Sequence, residues 1–314
     1  MSLKKIIINS LLACVFLSGL TAGILCWSGI LRDKENPPVQ DNFAKLKPDS
    51  VDVIFIGTSH QFCSINPDLL YDEYGINSFM LATSAQTVPM SYYAAMEAIT
   101  FQHPSAIVFE VLYCTNDFRT VTPGMSHAFF DGMPCCEAKR LALNDLIDEK
   151  ERIYYYLNLG RYHNRWKDLK QEDFQGIKTM PRGRYFDETI TPNWEIPVTS
   201  RDNTEEMPAE MLQYLELMIH LCRENDVKLI WYVAPFNSLY NDDYNIAGLL
   251  RRQRIFNWIE EYAAQNQIPY YNLFYELDEI EFDYQKDFLD SQHLNCYGQD
   301  KLTRYMADKG YFSY

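Results

Sequence analysis

Val51-Asp52-Val53-Ile54-Phe55-Ile56-Gly57-Thr58-Ser59-His60 joins a β-branched, mostly apolar run to a glycine and a short polar turn. A run this short and apolar, ended by a glycine, predicts a strand buried on both faces, the kind found in parallel sheets. Downstream, Asn66-Pro67 reads as a helix N-cap followed by proline at the first helical position, with the helix ending near Tyr74, before Gly75. A second strand is expected at 77–81, a helix at 89–101 on the spacing of Tyr92, Met96 and Ile99, and a third strand at 106–112. The rhythm returns late in the chain, with helices at 208–224, 246–265 and 296–309 and strands at 227–233 and 268–274. Five strands alternating with helices predict an α/β domain: a central parallel sheet of about five strands between two helical layers.

Between them, residues 113–207 lack this rhythm and read as an insertion, with a helical aromatic middle from Tyr154-Tyr155-Tyr156 to Trp166 and an irregular loop at 181–197. Insertions of this length at a strand end are usually functional or lids. Upstream, Lys4 and Lys5 precede an apolar run over 6–27, interrupted by Asn9 and Ser10. That is long enough to span a bilayer as a helix, and Trp27 suits the membrane interface. The run exceeds a signal-peptide core and no small-x-small cleavage site follows, so an uncleaved anchor is expected. Leu11-Leu12-Ala13-Cys14 has too little apolar sequence before it for a lipoprotein box. The two lysines predict a cytoplasmic N-terminus and an extracytoplasmic domain, although Arg32 and Lys34 lie on the far side. The expected organisation is an anchor at 1–32, a linker at 33–48 carrying Pro37-Pro38, and the α/β domain at 49–314.

The 314 residues carry 28 Lys and Arg against 43 Asp and Glu, a formal charge of −15, which excludes nucleic acid as a partner. Eight cysteines are scattered without metal-ligand spacing, and most read as small buried hydrophobes.

In an open parallel sheet, ligands bind beyond the C-terminal ends of the strands. Ser59 follows the first strand, 82–87 the second, Cys114-Thr115-Asn116-Asp117 the third, Ala234-Pro235-Phe236-Asn237 the fourth, and Asp290-Ser291-Gln292-His293 the last. Ser59 is the candidate nucleophile, His293 the base and Asp290 the carboxylate that fixes its tautomer, the set that acyl transfer by a serine requires. The bland alternatives are a strand-to-helix turn at Ser59 and a capping pair at 290–293. No third or fourth ligand gives the Asp-x-x-His metal spacing, and neither metal nor cofactor is expected. His60, beside the nucleophile, is the rival base; His103, His127, His163 and His220 read as structural or exposed. Phe236 and its neighbours either line the pocket or form a plain loop; Arg251, Arg252 and Arg254 make a small basic cluster of the sort that meets an anionic polymer or headgroup, with a solvated helix face the simpler reading.

Gly57-Thr58-Ser59 after the first strand, with Asp290-Ser291-Gln292-His293-Leu294-Asn295-Cys296-Tyr297-Gly298 before the last helix, resembles the SGNH/GDSL hydrolase superfamily. The closing run is similar to a membrane-anchored branch that includes the teichoic-acid D-alanyl-transfer protein and bacterial surface O-acyltransferases. The resemblance implies a flavodoxin-like three-layer fold and a triad of Ser59, His293 and Asp290. It also implies oxyanion donors at Ser59, after strand two and after strand three. Asn116 matches the third position, with Cys114 where the family has glycine; a turn-forming asparagine is the alternative. No glycine stands after strand two, where Ser84 or Gln86 would substitute, and Thr58 replaces the family's aspartate. The expected function is an extracytoplasmic serine O-acyltransferase or esterase acting on acyl esters of a cell-surface glycan or polymer. An integral-membrane acyl-transfer partner is implied by the resemblance alone. The rival is a membrane-anchored scaffold that keeps the fold without the chemistry.

Overall fold

Five short strands, β1 (Val53–Gly57), β2 (Ser78–Ala82), β3 (Ala106–Glu110), β4 (Lys228–Val233) and β5 (Tyr270–Asn272), form one wholly parallel sheet in the order β2-β1-β3-β4-β5. The computed structural model describes residues 3–32, 39–116, 122–191, 199–236 and 246–314. Its helices begin with α1 (Leu3–Leu31), α2 (Val39–Phe43), α3 (Ser59–Ser64), α4 (Pro67–Tyr74), α5 (Val88–Gln102), α6 (Pro123–Phe130) and α7 (Glu137–Leu146). They continue with α8 (Ile153–Tyr156), α9 (Asn158–Tyr162), α10 (Ala209–Glu224), α11 (Ile246–Gln265), α12 (Leu277–Ile280) and α13 (Cys296–Asp308).

The chain forms two units, residues 38–147 with 179–314, and residues 1–37 with 148–178. The first holds the sheet. Along β1, Val53 and Phe55 join Met80, Ala82, Val108, Ile230 and Tyr232 in one core with Leu70 of α4 and Leu302 and Met306 of α13. The intervening residues Ile54, Ile56, Phe79, Ile107, Phe109 and Trp231 are equally buried on the opposite face. Burial on both faces is why these strands carry near-continuous apolar sequence rather than alternation. At β5 the expected run of 268–274 is shorter, because Asn272 caps a tight 3-10 turn over Leu273–Tyr275.

Edge strand β2 is covered rather than left open, as unpaired strand edges invite association. A turn at Pro181–Gly183 lies against it so closely that a Cβ on Gly183 would sit 2.3 Å from the Met80 carbonyl oxygen. Arg182 and Arg184 fasten that turn to Asp68 of α4, at 3.1 and 3.5 Å. Phe43 of α2, within the expected linker, is fully buried against Phe79 and Phe101. Asp33 to Pro38 of that linker, Asp117 and Asn237 lie outside the described residues.

The second unit contains α1, exposed along nearly all its length, together with residues 148–178. The helical middle expected at 154–166 is broken into α8, α9 and a 3-10 stretch over His163–Lys167.

Candidate active site

Thr58 ends the extended chain of β1, and its hydroxyl oxygen accepts from the His60 N–H at 3.2 Å, starting α3 at Ser59. The turn is tight. A Cβ on Gly57 would lie 2.8 Å from Gln61 Cβ and 3.1 Å from Glu110 Cβ. Ser59 is the first residue of its helix, so its backbone N–H has no intrahelical acceptor.

The partner loop follows β5 and α12. Phe288 and Leu294 pair across its neck in an isolated antiparallel bridge, and the Leu289 N–H donates to the His293 carbonyl at 2.9 Å. Inside the loop, Asp290 Oδ1 accepts from the Gln292 and His293 N–H groups at 2.7 and 2.9 Å. The same carboxylate faces His293 Nδ1, at 3.0 Å from Oδ1 and 2.9 Å from Oδ2. His293 Nε2 then lies 2.8 Å from Ser59 Oγ. Ser59 and a pair of residues more than 230 positions downstream thus form one unbroken relay at the C-terminal edge of the sheet.

Helix α13 docks the two halves together. Asn295 caps it, accepting from the Tyr297 and Gly298 N–H groups at 3.0 and 3.2 Å, while its Nδ2 donates to the Thr189 and Lys286 carbonyls at 3.1 and 2.6 Å. One turn on, Gln299 Nε2 donates to the Phe62 carbonyl of α3 at 2.7 Å, and Thr303 Oγ1 accepts from the Asn66 N–H at 2.8 Å. The tail of the insertion joins from outside: Cys296 N–H donates to the Asp187 carbonyl at 2.8 Å, and Thr191 N–H to the Phe288 carbonyl at 3.1 Å.

Burial alone would raise the Asp290 carboxyl. The hydrogen bonds from the His293 ring and from the Gln292 and His293 amides outweigh it and leave the group below its ordinary value. His60 is buried with its ring 4.8 Å from that of His293 and 5.8 Å from that of Phe236. Desolvation, helped by the nearby His293 and Arg252, pushes its imidazole well below the usual range, so it is neutral. Its Nδ1 lies 3.5 Å from Thr58 Oγ1, and among the described residues no hydrogen bond joins it to Ser59.

The other expected donors are spread along the same edge. Ser84 is exposed beside Ala85, whose φ is +54°. Gln86 is buried: its Oε1 accepts from Thr83 N–H and Oγ1 at 3.1 and 3.0 Å, and its Nε2 faces Ser91 Oγ at 3.1 Å. Its amide therefore holds the β2–α5 loop closed. Asn116, half-buried, ends a 3-10 turn over Leu112–Thr115 and donates its N–H to the Tyr113 carbonyl at 3.2 Å.

Arg251, Arg252 and Arg254 are not a freely solvated face: two are partly exposed but paired, and the third is buried. Arg251 and Arg254 pair with Glu205 at 2.7 and 2.9 Å, and Arg252 is buried with its guanidinium 6.0 Å from the centre of the Phe236 ring. The reason is that residues 200–205 lie along α11, donating Glu205 N–H to the Arg254 carbonyl and accepting from Asn257 Nδ2 at Ser200 and Asn203.

A buried group beneath the site escapes the sequence reading. Glu110 closes β3 with no exposure, and the N–H of Leu112 donates to its Oε1 at 3.0 Å while that of Ala234 also faces it. Desolvation, only partly offset by those two amides, pushes its carboxyl up to about 8. A neutral acid here ties the ends of β3 and β4 together beneath the site. A lone carboxyl inside Ala106-Ile107-Val108-Phe109-Glu110-Val111 was the available signal.

No family model matches the chain, and no curated protein matches it. Among solved structures, it is similar to a protein of Bacteroides fragilis assigned as an acylhydrolase, at 13% identity and TM-score 0.43, over 88% of this chain and 97% of the other. A GDSL-like lipase of Bacteroides thetaiotaomicron matches at 14% identity and TM-score 0.42, over 85% and 92%. TesA matches at 10% and 0.39, over 82% and 96%. At scores this low, the chain's own residues carry the chemistry.

Proposed function

We propose that the chain is a membrane-anchored, extracytoplasmic serine acyl-enzyme catalyst, an O-acyltransferase or esterase of the SGNH kind, acting on acyl esters of a cell-surface glycan or polymer. The observation that carries this reading is the relay from Ser59 Oγ to His293 Nε2 at 2.8 Å and from His293 Nδ1 to Asp290 at 2.9 Å.

For Nε2 to take a proton, Nδ1 must carry the ring hydrogen, and both Asp290 oxygens stand where they accept it. Ser59 Oγ attacks the ester carbonyl as its proton passes to Nε2, and Asp290 stabilises the imidazolium that results. The C–O bond to the leaving alcohol breaks, and His293 returns the proton to that oxygen. The acyl group is then an ester of Ser59. A glycan hydroxyl or water attacks it, giving its proton to His293, which hands it back to Ser59 Oγ as the product leaves. The Ser59 N–H and Asn116 are the donors for the oxyanion, with Ser84 presented by the loop that Gln86 holds closed. Transfer rather than hydrolysis requires exclusion of water while the acceptor is bound.

Retention of α1 as a single-pass anchor places the domain beside its polymer. Its 29 residues span about 43 Å at 1.5 Å per residue, enough for a hydrocarbon core of about 30 Å. An integral-membrane acyl donor would meet the enzyme there.

The test is intact-protein mass spectrometry of the full chain in detergent after a fluorophosphonate, wild type against Ser59→Ala. A single adduct on wild type, absent from the variant, is the expected result. A folded wild type that takes no adduct sinks the enzyme reading in favour of a scaffold.

A further inference from the structure

Residues 148–178 make almost no core of their own. Among their described residues only Tyr155 and Asp173 are buried. What orders them is α1. Nη1 of Arg165 donates to the Leu31 and Arg32 carbonyls at 2.6 and 2.7 Å, two of the groups that a helix end leaves without intrahelical donors. Nη2 of the same guanidinium donates to Asp173 Oδ1 at 2.7 Å, and Asp173 Oδ2 accepts from the Lys170 N–H at 2.8 Å. One arginine thus bolts the segment to the last turn of the apolar helix, where its charge also suits the helix dipole.

The surface so placed is apolar and aromatic. Ile153, Tyr154, Tyr156, Leu157, Trp166 and Phe174 are all exposed, Trp166 and Phe174 by 60% and 64%. Lys167 holds its ammonium 5.8 Å from the Trp166 ring centre, and both Lys167 and Lys170 are exposed. In a chain of charge −15, this segment carries seven Lys and Arg against six Asp and Glu.

Its depth follows from helix geometry. A hydrocarbon core takes about 20 helical residues. Counted from Lys5, these end near Leu25, so the turns after it emerge into the headgroup layer. Anything fastened to Leu31 and Arg32 is held at that level, where Trp, Tyr and long cationic side chains are the favoured residues.

We propose that residues 148–178 form a foot seated on the lipid bilayer around the end of α1, with Tyr154, Tyr156, Trp166 and Phe174 entering the interface and Lys167 and Lys170 meeting lipid phosphates. The proposal rests on α1 being a retained membrane anchor. It also gives the middle of the insertion a task separate from catalysis.

Tryptophan quenching tests it. The full chain is reconstituted into phosphatidylcholine–phosphatidylglycerol vesicles whose lipids are brominated near the ester end of the acyl chain. Three variants are compared: Trp27→Phe, Trp166→Ala and the two together; Trp166 is exposed, so its removal leaves the fold intact, which circular dichroism checks. The expected result is a quenched component in Trp27→Phe that vanishes in the double variant. If Trp166→Ala still shows quenching of Trp27 but Trp27→Phe shows none above the double variant, the anchor stands and the foot is overturned, leaving that face to a protein. If Trp27 itself is not quenched, the anchor reading fails and the foot fails with it.

Discussion

Gly298→Ala isolates the positioning of the relay from its chemistry. A Cβ at this position would lie 2.2 Å from the Asp287 carbonyl oxygen, 3.1 Å from Asp287 Cβ and 3.1 Å from Leu294 Cδ2. The first contact is with backbone, so no side-chain rotation relieves it. That carbonyl also accepts the Asn295 N–H at 3.1 Å, and Asp287 holds Lys301 at 2.6 Å, so the neck of the loop cannot simply swing aside. Restoring an ordinary contact needs a shift of about 1 Å between α13 and the residues leading to Asp290, a misplacement of the size that costs about 100-fold in rate. That factor corresponds to about 2.7 kcal/mol in the barrier. Overpacking also lowers stability, by about 1–3 kcal/mol. The assay is the second-order rate of fluorophosphonate labelling at Ser59, measured well below the melting temperature of each protein. A variant that labels at the wild-type rate would refute the claim that this close approach sets the Ser59–His293 distance.

Asp290→Asn keeps one acceptor for the loop amides but removes the charge facing Nδ1; labelling, measured well below the melting temperature of the variant, should fall by about 10³–10⁴-fold. Equal labelling would place the orienting role elsewhere. The lowered carboxyl of Asp290 binds its proton less readily in the folded protein than in the unfolded one. Its contribution to stability is therefore complete above the unfolded carboxylate value and lost as pH falls through the folded one, a slope the same variant should lack in acid denaturation. Glu110 has the opposite sign. Its folded value near 8 means that the folded state holds an extra proton between the unfolded value and about 8, so stability declines as pH rises through that window. Glu110→Gln should melt higher than wild type at pH 8–9, with the difference shrinking towards pH 5; parallel melting curves across that range would contradict the buried neutral acid.

The sheet was legible because local sequence decides it. A strand buried on both faces is apolar along nearly all its length, so 53–57, 78–82, 106–110 and 228–233 announce themselves without knowledge of their neighbours. Ser59 and the pair Asp290 and His293 were legible for a related reason: a parallel sheet delivers every strand end to one edge. Their actual distance was not, because it depends on α13 meeting α3 through Gln299 and Phe62, a contact between residues 237 positions apart. The arginines of α11 read as solvent-facing because nothing near them reveals that Glu205 will lie alongside. Residues 148–178 were opaque for the same cause, since their order comes from a helix more than a hundred positions upstream.

The turn over Gly183 and the hydrogen bonds at Asp187, Thr189 and Thr191 belong to one stretch of about ten residues. It begins pressed on the outermost strand and ends stitched to the loop of the base. That stretch is a splint laid across the mouth of the fold. Its two ends fix its length, so a deletion inside it would have to unseat either the covered edge or His293. Residues 183–191 must therefore keep their count.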